Sequence, residues 1–430
     1  MMKNLELGGP EAVLDDALIE HHLRDWLRSA GALGRVLIIP PDFTRYHSHA
    51  GRITVMMYEI LRESGTEIAI LPALGTHVPM TPAQIETMFP GIPAELFRVH
   101  DWRGDLRHLG DVPASAIHSW SEGLLDWPVR SEVNRALVDE HWDLILSVGQ
   151  VVPHEVIGMA NYNKNIFTGV GGADTINKTH FLGAVHGMER MMGRVDTPVR
   201  AVFDYMSEHF ARDLPIAYIH TVRAKDREGR LITRGLFAGR DRRCFETAAR
   251  LAQVANLDLL DKPIAKAVVY LDADEYQSTW LGNKAIYRTR LAMADGGELR
   301  IIAPGVRHFG EDAEIDRLIR RYGYRGTPHT LKQVEENEEL RENLSAAAHL
   351  IHGSSEGRFR ITYCAGKLSQ DEIEAVGFEC GDVGEALRRY PVDHLRDGLQ
   401  TMPDGEEIFF ISNPALGLWA LKSQFAEGGA

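Results

Sequence analysis

Cysteine is scarce in this chain. Three residues in 430 (Cys244, Cys364 and Cys380) lie far apart and are odd in number. That excludes a disulfide framework and a cysteine-based metal pattern, and it suits a reducing cytoplasm. Positive charge is also in deficit, with 47 Lys and Arg against 61 Asp and Glu, for a formal net charge of −14. Nucleic acid would find no basic face on such a chain and is not expected as a partner. An anionic small molecule would have to be met by local cations. No stretch approaches a membrane span. The opening MMKNLELGGPEAVLDD lacks the basic start and apolar core of a signal peptide. The expectation is a cytoplasmic protein with no membrane partner. There is no Walker loop, no GxGxxG, no internal repeat and no low-complexity tract.

What is present has an ordinary globular balance. Hydrophobic residues at 44% and charged residues at 25% fit a folded chain rather than a disordered one. The length allows two or three domains with sizeable cores. PEAVLDDALIEHHLRDWLRSAG carries apolar residues at helical spacing, with Pro10 near its start and Gly31 past its end, which predicts a helix. RVLIIPP reads as a buried strand, TVMMYEILRESG as a glycine-closed helix, and EIAILPALG and WDLILSVGQVVPH as further strands. This alternation predicts βαβ units and a parallel sheet. A second region opens near residue 262. LLDKPIAKAVVYLDADEYQS reads as a Pro-marked strand with a polar turn, NKAIYRTRLAMADGGELRIIAPG as helix, turn and strand, and QTMPDGEEIFFISNPA as a late strand. The expected fold class is α/β, built of two α/β domains. A parallel-sheet N-terminal domain over 1–262 would bind cofactor and carry catalysis. A smaller α/β C-terminal domain over 263–430 would close on substrate, with the active site between them.

Ligands of such sheets sit at the carboxyl ends of the strands. PDFTR, ALGTH and VVPHE all begin where a strand runs out, which brings Asp42, Arg45, His77 and His154 to one edge. His47, His49, His141 and His186 read as surface or structural residues. His77 and His154 differ, because each follows a strand end in a Pro/Gly-flanked loop of the kind that carries active groups. Two histidines from different strands can flank a substrate, one as base and one as acid. The segment from Val151 to Phe181 adds Lys164, ten residues after His154, and His180, sixteen after Lys164. Its Gly169, Gly171 and Gly172 form either a plain loop-to-helix connection or a phosphate cradle ahead of a helix from about Asp174. Taken singly, Lys164 also reads as a solvated lysine and His180 as a structural helical histidine.

Together these motifs resemble the lactate racemase family, whose members use a nickel-pincer nucleotide. The matching elements are Asp-x-Thr-Arg at Asp42–Arg45, Gly-Thr-His ending at His77, Pro-His at His154, then Lys164, His180 and Tyr-Gln-Ser at Tyr276–Ser278. They come in the family's order and at similar spacings, from about residue 35 to about residue 380. The resemblance implies a cofactor, Ni(II)-pyridinium-3,5-bisthiocarboxylate mononucleotide, tethered through Lys164. Two sulfurs and a ring carbon of the nucleotide would hold the nickel, and His180 would complete a planar coordination suited to Ni(II). Asp42, Thr44 and Arg45 would contact the cofactor, Arg45 would also hold a carboxylate, and the glycine turn would face the nucleotide phosphate. The implied reaction inverts C2 of a 2-hydroxy acid. His77 or His154 removes the hydroxyl proton, hydride passes to the ring carbon to leave a 2-keto acid, and it returns to the other face. Proteins of cofactor synthesis would be partners.

Three departures from the family pattern bear on substrate. MANYNK stands where a Gly- and Ser-rich stretch followed by Arg is usual. Trp280 occupies the position of a substrate-binding lysine, the nearest lysine being Lys284. GVRHFGED offers Arg307 and His308 where a less basic turn is common. The expectation is a sugar acid such as gluconate, with Tyr276, Gln277, Trp280, His308, Asn161 and Asn163 near its extra hydroxyls and Arg45 on its carboxylate. Racemisation of lactate or another short 2-hydroxy acid is the alternative within the class. From other classes, His77, His154 and His180 with Asp42 could form a zinc hydrolase, or the chain could bind a metal or cofactor without turnover. Lys164 discriminates, since a zinc hydrolase has no use for it.

Overall fold

The structure, a computed structural model, describes residues 2–226 and 228–426. Its backbone divides into two units. One holds the chain up to Leu182 together with Met191–Asn256; the other holds Gly183–Arg190 and the chain from Leu257 onward.

The first unit is built on six strands: β1 (Leu5–Gly8), β2 (Arg35–Ile39), β3 (Glu67–Ile70), β4 (Leu144–Gln150), β5 (Ile216–Lys225) and β6 (Leu231–Gly239), in the order β1-β6-β5-β4-β2-β3. Strands β3, β2, β4 and β5 are parallel, with Arg35 opposite Glu67, Val36 opposite Leu144 and Ile145 opposite Ile216. Val36, Leu37, Ile38 and Ile39 are fully buried, which is why this run is continuously apolar rather than alternating. The sheet is not wholly parallel, as the sequence suggested. Strands β5, β6 and β1 form an antiparallel ribbon, because five residues between β5 and β6 are too few for a crossover, which takes a dozen or more.

Helices α1 (Asp16–Arg28) and α2 (Ala50–Glu63) cover the sheet. Ile19, Leu23, Trp26 and Leu27 of α1 pack with Ile53, Met56, Met57 and Ile60 of α2 and the apolar faces of β2–β4 in one core. Helix α1 starts six residues later than Pro10. Asp15 caps it by accepting from the Leu18 N–H at 2.8 Å, while the preceding Leu14 N–H is bonded to Thr233 O at 2.9 Å. Three further helices matter below: α3 (Ala173–His186), α4 (Pro198–His209) and α5 (Arg242–Asn256).

The second unit repeats the α/β pattern with β7 (Ile264–Tyr270), β8 (Met293–Ala303), β9 (Arg360–Ala365), β10 (Glu379–Cys380), β11 (Gly398–Thr401) and β12 (Glu407–Ile411), ordered β10-β9-β8-β7-β12-β11. All neighbours are parallel except β11 and β12. The late strand expected from the sequence is therefore the second arm of a hairpin. Its four-residue partner is polar and reads as loop. Among the described residues no helix is long and apolar enough to cross a membrane.

The Asp15 cap gives a direct check on α1. Asp15→Ala removes the side-chain acceptor of the Leu18 N–H, and is expected to cost about 1 kcal/mol, read as a lower urea midpoint with unchanged slope. An unchanged midpoint would mean the cap carries no net stability.

Candidate active site

The sheet order creates the crevice. From β2 the chain passes to β3 on one side, and β4 then returns to the other side. The connections leaving β2 and β4 diverge there, which is where open α/β sheets take ligands. Asp42 follows β2, and His77 follows β3 through a turn held by Ala73 N–H to Pro40 O and His77 N–H to Leu74 O. His154 follows β4 in a two-residue ladder with Gly158–Met159. Asn165, which sequence reading passed over, fills the gap: its Nδ2 donates to Ile39 O, Ser147 Oγ and Val148 O at 3.1–3.3 Å. Lys164 is thereby fixed beside the split, at the head of a π-helical turn, Asn165–Gly169, a form frequent at functional sites.

The three histidines are prepared differently. His77 Nδ1 lies 2.7 Å from Asp42 Oδ2. The Nδ1–H donates to this carboxylate, so the ring proton is kept on Nδ1 and Nε2 is left bare. Asp42 is buried, and burial pushes its carboxyl up, but the hydrogen bonds from His77 and Thr44 outweigh this and leave it below its ordinary value. His154 is the reverse. The Val156 N–H donates to its Nδ1 at 3.1 Å, so the neutral ring carries its proton on Nε2. His180, in the middle of α3, bonds Ile176 O through Nδ1 at 2.6 Å, which again leaves Nε2 bare. Burial, then the Lys164 charge, pushes His180 down to about 4. Burial likewise drives His154 well below the ordinary histidine value, and the charges of Lys164, Arg45 and His180 add to it.

Lys164 has no hydrogen-bond partner among the described residues. Burial and then the Arg45 charge bring its amine down to about 8. Glu155 is the carboxylate common to this group. It offsets part of the shift at His154, Lys164 and His180, and its only sequence signal was adjacency to His154. Arg45 is exposed and makes no ion pair among the described residues; its guanidinium reaches Thr44 Oγ1 at 3.4 Å, and its backbone N–H bonds Asp42 O at 3.0 Å. Asp42 and Thr44, expected to face a cofactor, are turned to each other, with Thr44 Oγ1 donating at 2.5 Å.

Two expectations are corrected here. The glycine turn is explained by packing of the chain on itself, without a phosphate. A Cβ on Gly171 would lie 1.9 Å from Phe167 O, one on Gly172 2.6 Å from Glu132 Oε2, and one on Gly169 2.7 Å from Ala73 Cβ. These glycines let the chain approach itself, and Glu132 puts negative charge at the turn. Asn161 and Asn163 are also unavailable to substrate. Asn161 is 6% and Asn163 0% exposed; Asn161 Nδ2 is bonded to His220 Nδ1 at 2.9 Å and Asn163 Nδ2 to Asp204 Oδ1 at 2.7 Å.

The remaining expected residues lie in the second unit. Tyr276 is buried, its hydroxyl on Asn413 Oδ1 at 2.8 Å. Gln277 Oε1 accepts from Arg307 and His308 Nδ1 bonds Gly310 O at 2.7 Å. Trp280 rests on His349, ring centroids 4.2 Å apart. Zinc hydrolysis finds no ligand set: among the described residues no three His, Cys, Asp or Glu side chains are grouped to hold a metal ion.

Residues 10–193 match the lactate racemase N-terminal domain model. A crystal structure of a Thermotoga maritima protein is similar over 97% of this chain and 100% of that one, with 24% identity and a TM-score of 0.77. The lactate racemase apoprotein of Thermoanaerobacterium thermosaccharolyticum is similar over 91% of this chain and 87% of that one, with 17% identity and a TM-score of 0.67. No curated protein sequence matches the chain. The domain match covers the stretch that holds Asp42, His77, His154, Lys164 and His180, so it is this N-terminal part of the chain that is similar to the lactate racemase N-terminal domain.

Proposed function

We propose that the chain is an isomerase that inverts C2 of a 2-hydroxy acid with a nickel-pincer nucleotide. The observation that carries this reading is the pairing of Lys164 with His180. A cofactor that brings its own carbon and sulfur donors asks of the protein one imidazole lone pair and one uncharged amine. The bare Nε2 of His180 and the partnerless Nζ of Lys164, whose amine is brought down to about 8, fit that requirement. When bound, the cofactor supplies hydride acceptance and return at C2. Proteins of cofactor synthesis would have to deliver it.

The other residues handle the proton and the charge. His77 Nε2 takes the substrate hydroxyl proton, and Asp42 orients the ring and stabilises the imidazolium that forms. His154 Nε2–H donates to the same oxygen from its own strand end. For the mirror-image substrate the roles exchange, and His154 must first release its Nε2 proton. Arg45, free of ion pairs among the described residues, offers two parallel N–H donors to the carboxylate.

The finer reading of substrate is a sugar acid such as gluconate, ahead of lactate. Trp280 stands where lactate-type members carry a lysine, and loss of a charge-assisted bond costs about 1.5–3 kcal/mol. Within the second unit, Gln277 Nε2 and His308 Nε2 have no hydrogen-bond partner among the described residues, whereas Asn161 and Asn163 of the first unit are buried and bonded.

Three outcomes are expected. A panel of 2-hydroxy acids turned over in deuterium oxide, with products separated on a chiral phase, should place gluconate above lactate with little deuterium at C2; lactate outrunning every sugar acid refutes the substrate, and full deuteration refutes hydride return. His180→Ala should lose nickel, measured by elemental analysis. His77→Ala, His154→Ala and Asp42→Asn should keep nickel and lose about 10²–10⁴-fold in turnover; metal loss from His154→Ala but not His180→Ala would reverse the assignment. Because burial penalises its ammonium form, Lys164 should react with an amine-acylating reagent along a pH curve centred near 8. A curve centred near the ordinary lysine value of about 10.4 would remove the support from Lys164.

A further inference from the structure

Lys164 is preceded by two consecutive non-glycine residues in the left-handed region, Asn161 at φ 68° and Tyr162 at φ 62°. Each such residue costs of order 1–3 kcal/mol and persists only where its surroundings hold it. The holding group is Arg200 of α4, fully buried and unused by the proposed chemistry. Its Nη2 donates to Met159 O at 2.7 Å, both terminal nitrogens reach Asn161 O at 3.4 Å, and Nη1 bonds Asn163 Oδ1. One guanidinium thus grips three of the five residues before Lys164. Its plane lies over Phe245 at 4.4 Å, and Tyr162 stacks on the same Phe245 with centroids 5.1 Å apart. The far side is matched as well: a Cβ on Gly149 of β4 would lie 2.7 Å from Asn161 Oδ1, so the sheet leaves space for that asparagine.

We propose that Arg200 is the positioning residue for Lys164. It clamps the left-handed pair Asn161–Tyr162, so that a chain lacking the usual flexible stretch before the lysine still delivers the amine to the crevice. The functional half of this inference rests on the reading of Lys164 as cofactor anchor; the conformational half does not. Arg200 makes no hydrogen bond to Lys164 or to any other residue assigned to the chemistry. It acts through the backbone before Lys164, and its charge adds a smaller push down on the Lys164 amine, which Asn161→Gly does not restore. Asp204, which accepts from Asn163, is also held by Arg242 and keeps a cationic partner when Arg200 is replaced.

The test uses Arg200→Met, which keeps volume and removes the donors, with Arg200→Lys as the conservative variant and Arg200→Met/Asn161→Gly as the rescue. In the full chain without cofactor, amide exchange at Asn161–Lys164 should accelerate by about tenfold or more in Arg200→Met, less in Arg200→Lys, with β4 and β5 unchanged. In chain produced with the cofactor-synthesis proteins, the cofactor mass adduct should fall in Arg200→Met. Glycine takes the left-handed conformation without cost, so Asn161→Gly should return the adduct to Arg200→Met. Unchanged exchange at 161–164, exchange raised equally across the sheet, or no rescue by Asn161→Gly would each overturn the proposal. A wild-type chain with no adduct would instead refute Lys164 as anchor, and the exchange measurement alone would then decide the role of Arg200.

Discussion

An amine with no counter-ion must be placed so that its charge is dispensable, and Lys164 is placed in that way. It stands beside a fixed positive charge on Arg45, next to two histidines held neutral, with Glu155 as partial compensation. In water a lysine at neutral pH is an ammonium ion and a poor nucleophile; here the same surroundings that penalise the charge make the lone pair available. That placement needs a rigid floor. Asn165 supplies it by bonding atoms of both β2 and β4 where the strands part, and Arg200 supplies the approach to it from behind. The crevice therefore follows from strand order, while the chemistry follows from what is pinned inside it.

One residue type serves three purposes because only Nδ1 is varied. A carboxylate at His77, a carbonyl at His180 and an amide N–H at His154 decide which nitrogen keeps the proton. Nε2 is left bare in His77 and His180 and carries the proton in His154, as the proposed roles of base, ligand and donor would require. This breaks the symmetry that a pair of bases serving mirror-image substrates suggests at first sight. His77 is ready for its step, whereas His154 must change tautomer and give up the Val156 N–H before it can serve as base. Under the proposed inversion, the two directions would start from unequal protonation work in the protein, even where the substrates are energetically equivalent.

The legible part of this fold and site was the part written in local sequence. Continuous apolar runs gave the parallel strands, and Pro and Gly after them marked the loops that carry Asp42, His77 and His154. The spacing of His154, Lys164 and His180 was readable for the same reason, as all three lie in one segment. What depends on distant partners was not readable. Arg200 looks like a surface arginine of an amphipathic helix, and nothing near it announces that it binds the backbone some forty residues upstream in the sequence. The glycines misled because glycine signals close approach without saying to what; here Phe167, Glu132 and Ala73 fill the space. The asparagines of MANYNK misled in the same way, since polarity at a loop suggests solvent or ligand and these side chains are interior.

With the glycines of the turn packed on their own chain, anion recognition in the first unit is best sought at its exposed cations. The chain as a whole is strongly acidic, so a carboxylate or phosphate is repelled at long range and must be drawn in at short range. Arg45 is the exposed cation whose charge reaches both Lys164 and His154. Burial is the larger cause of the Lys164 shift, but an anion settling on Arg45 screens the second, and the amine then moves part of the way back toward its ordinary value. A free amine in this crevice is thus most nucleophilic before an anion arrives on Arg45. Once the lysine nitrogen is acylated it no longer titrates, and Arg45 can then bind anions without altering it. The same arginine can therefore serve first to prepare the lysine and afterwards to hold a carboxylate, provided the covalent link is made before substrate enters.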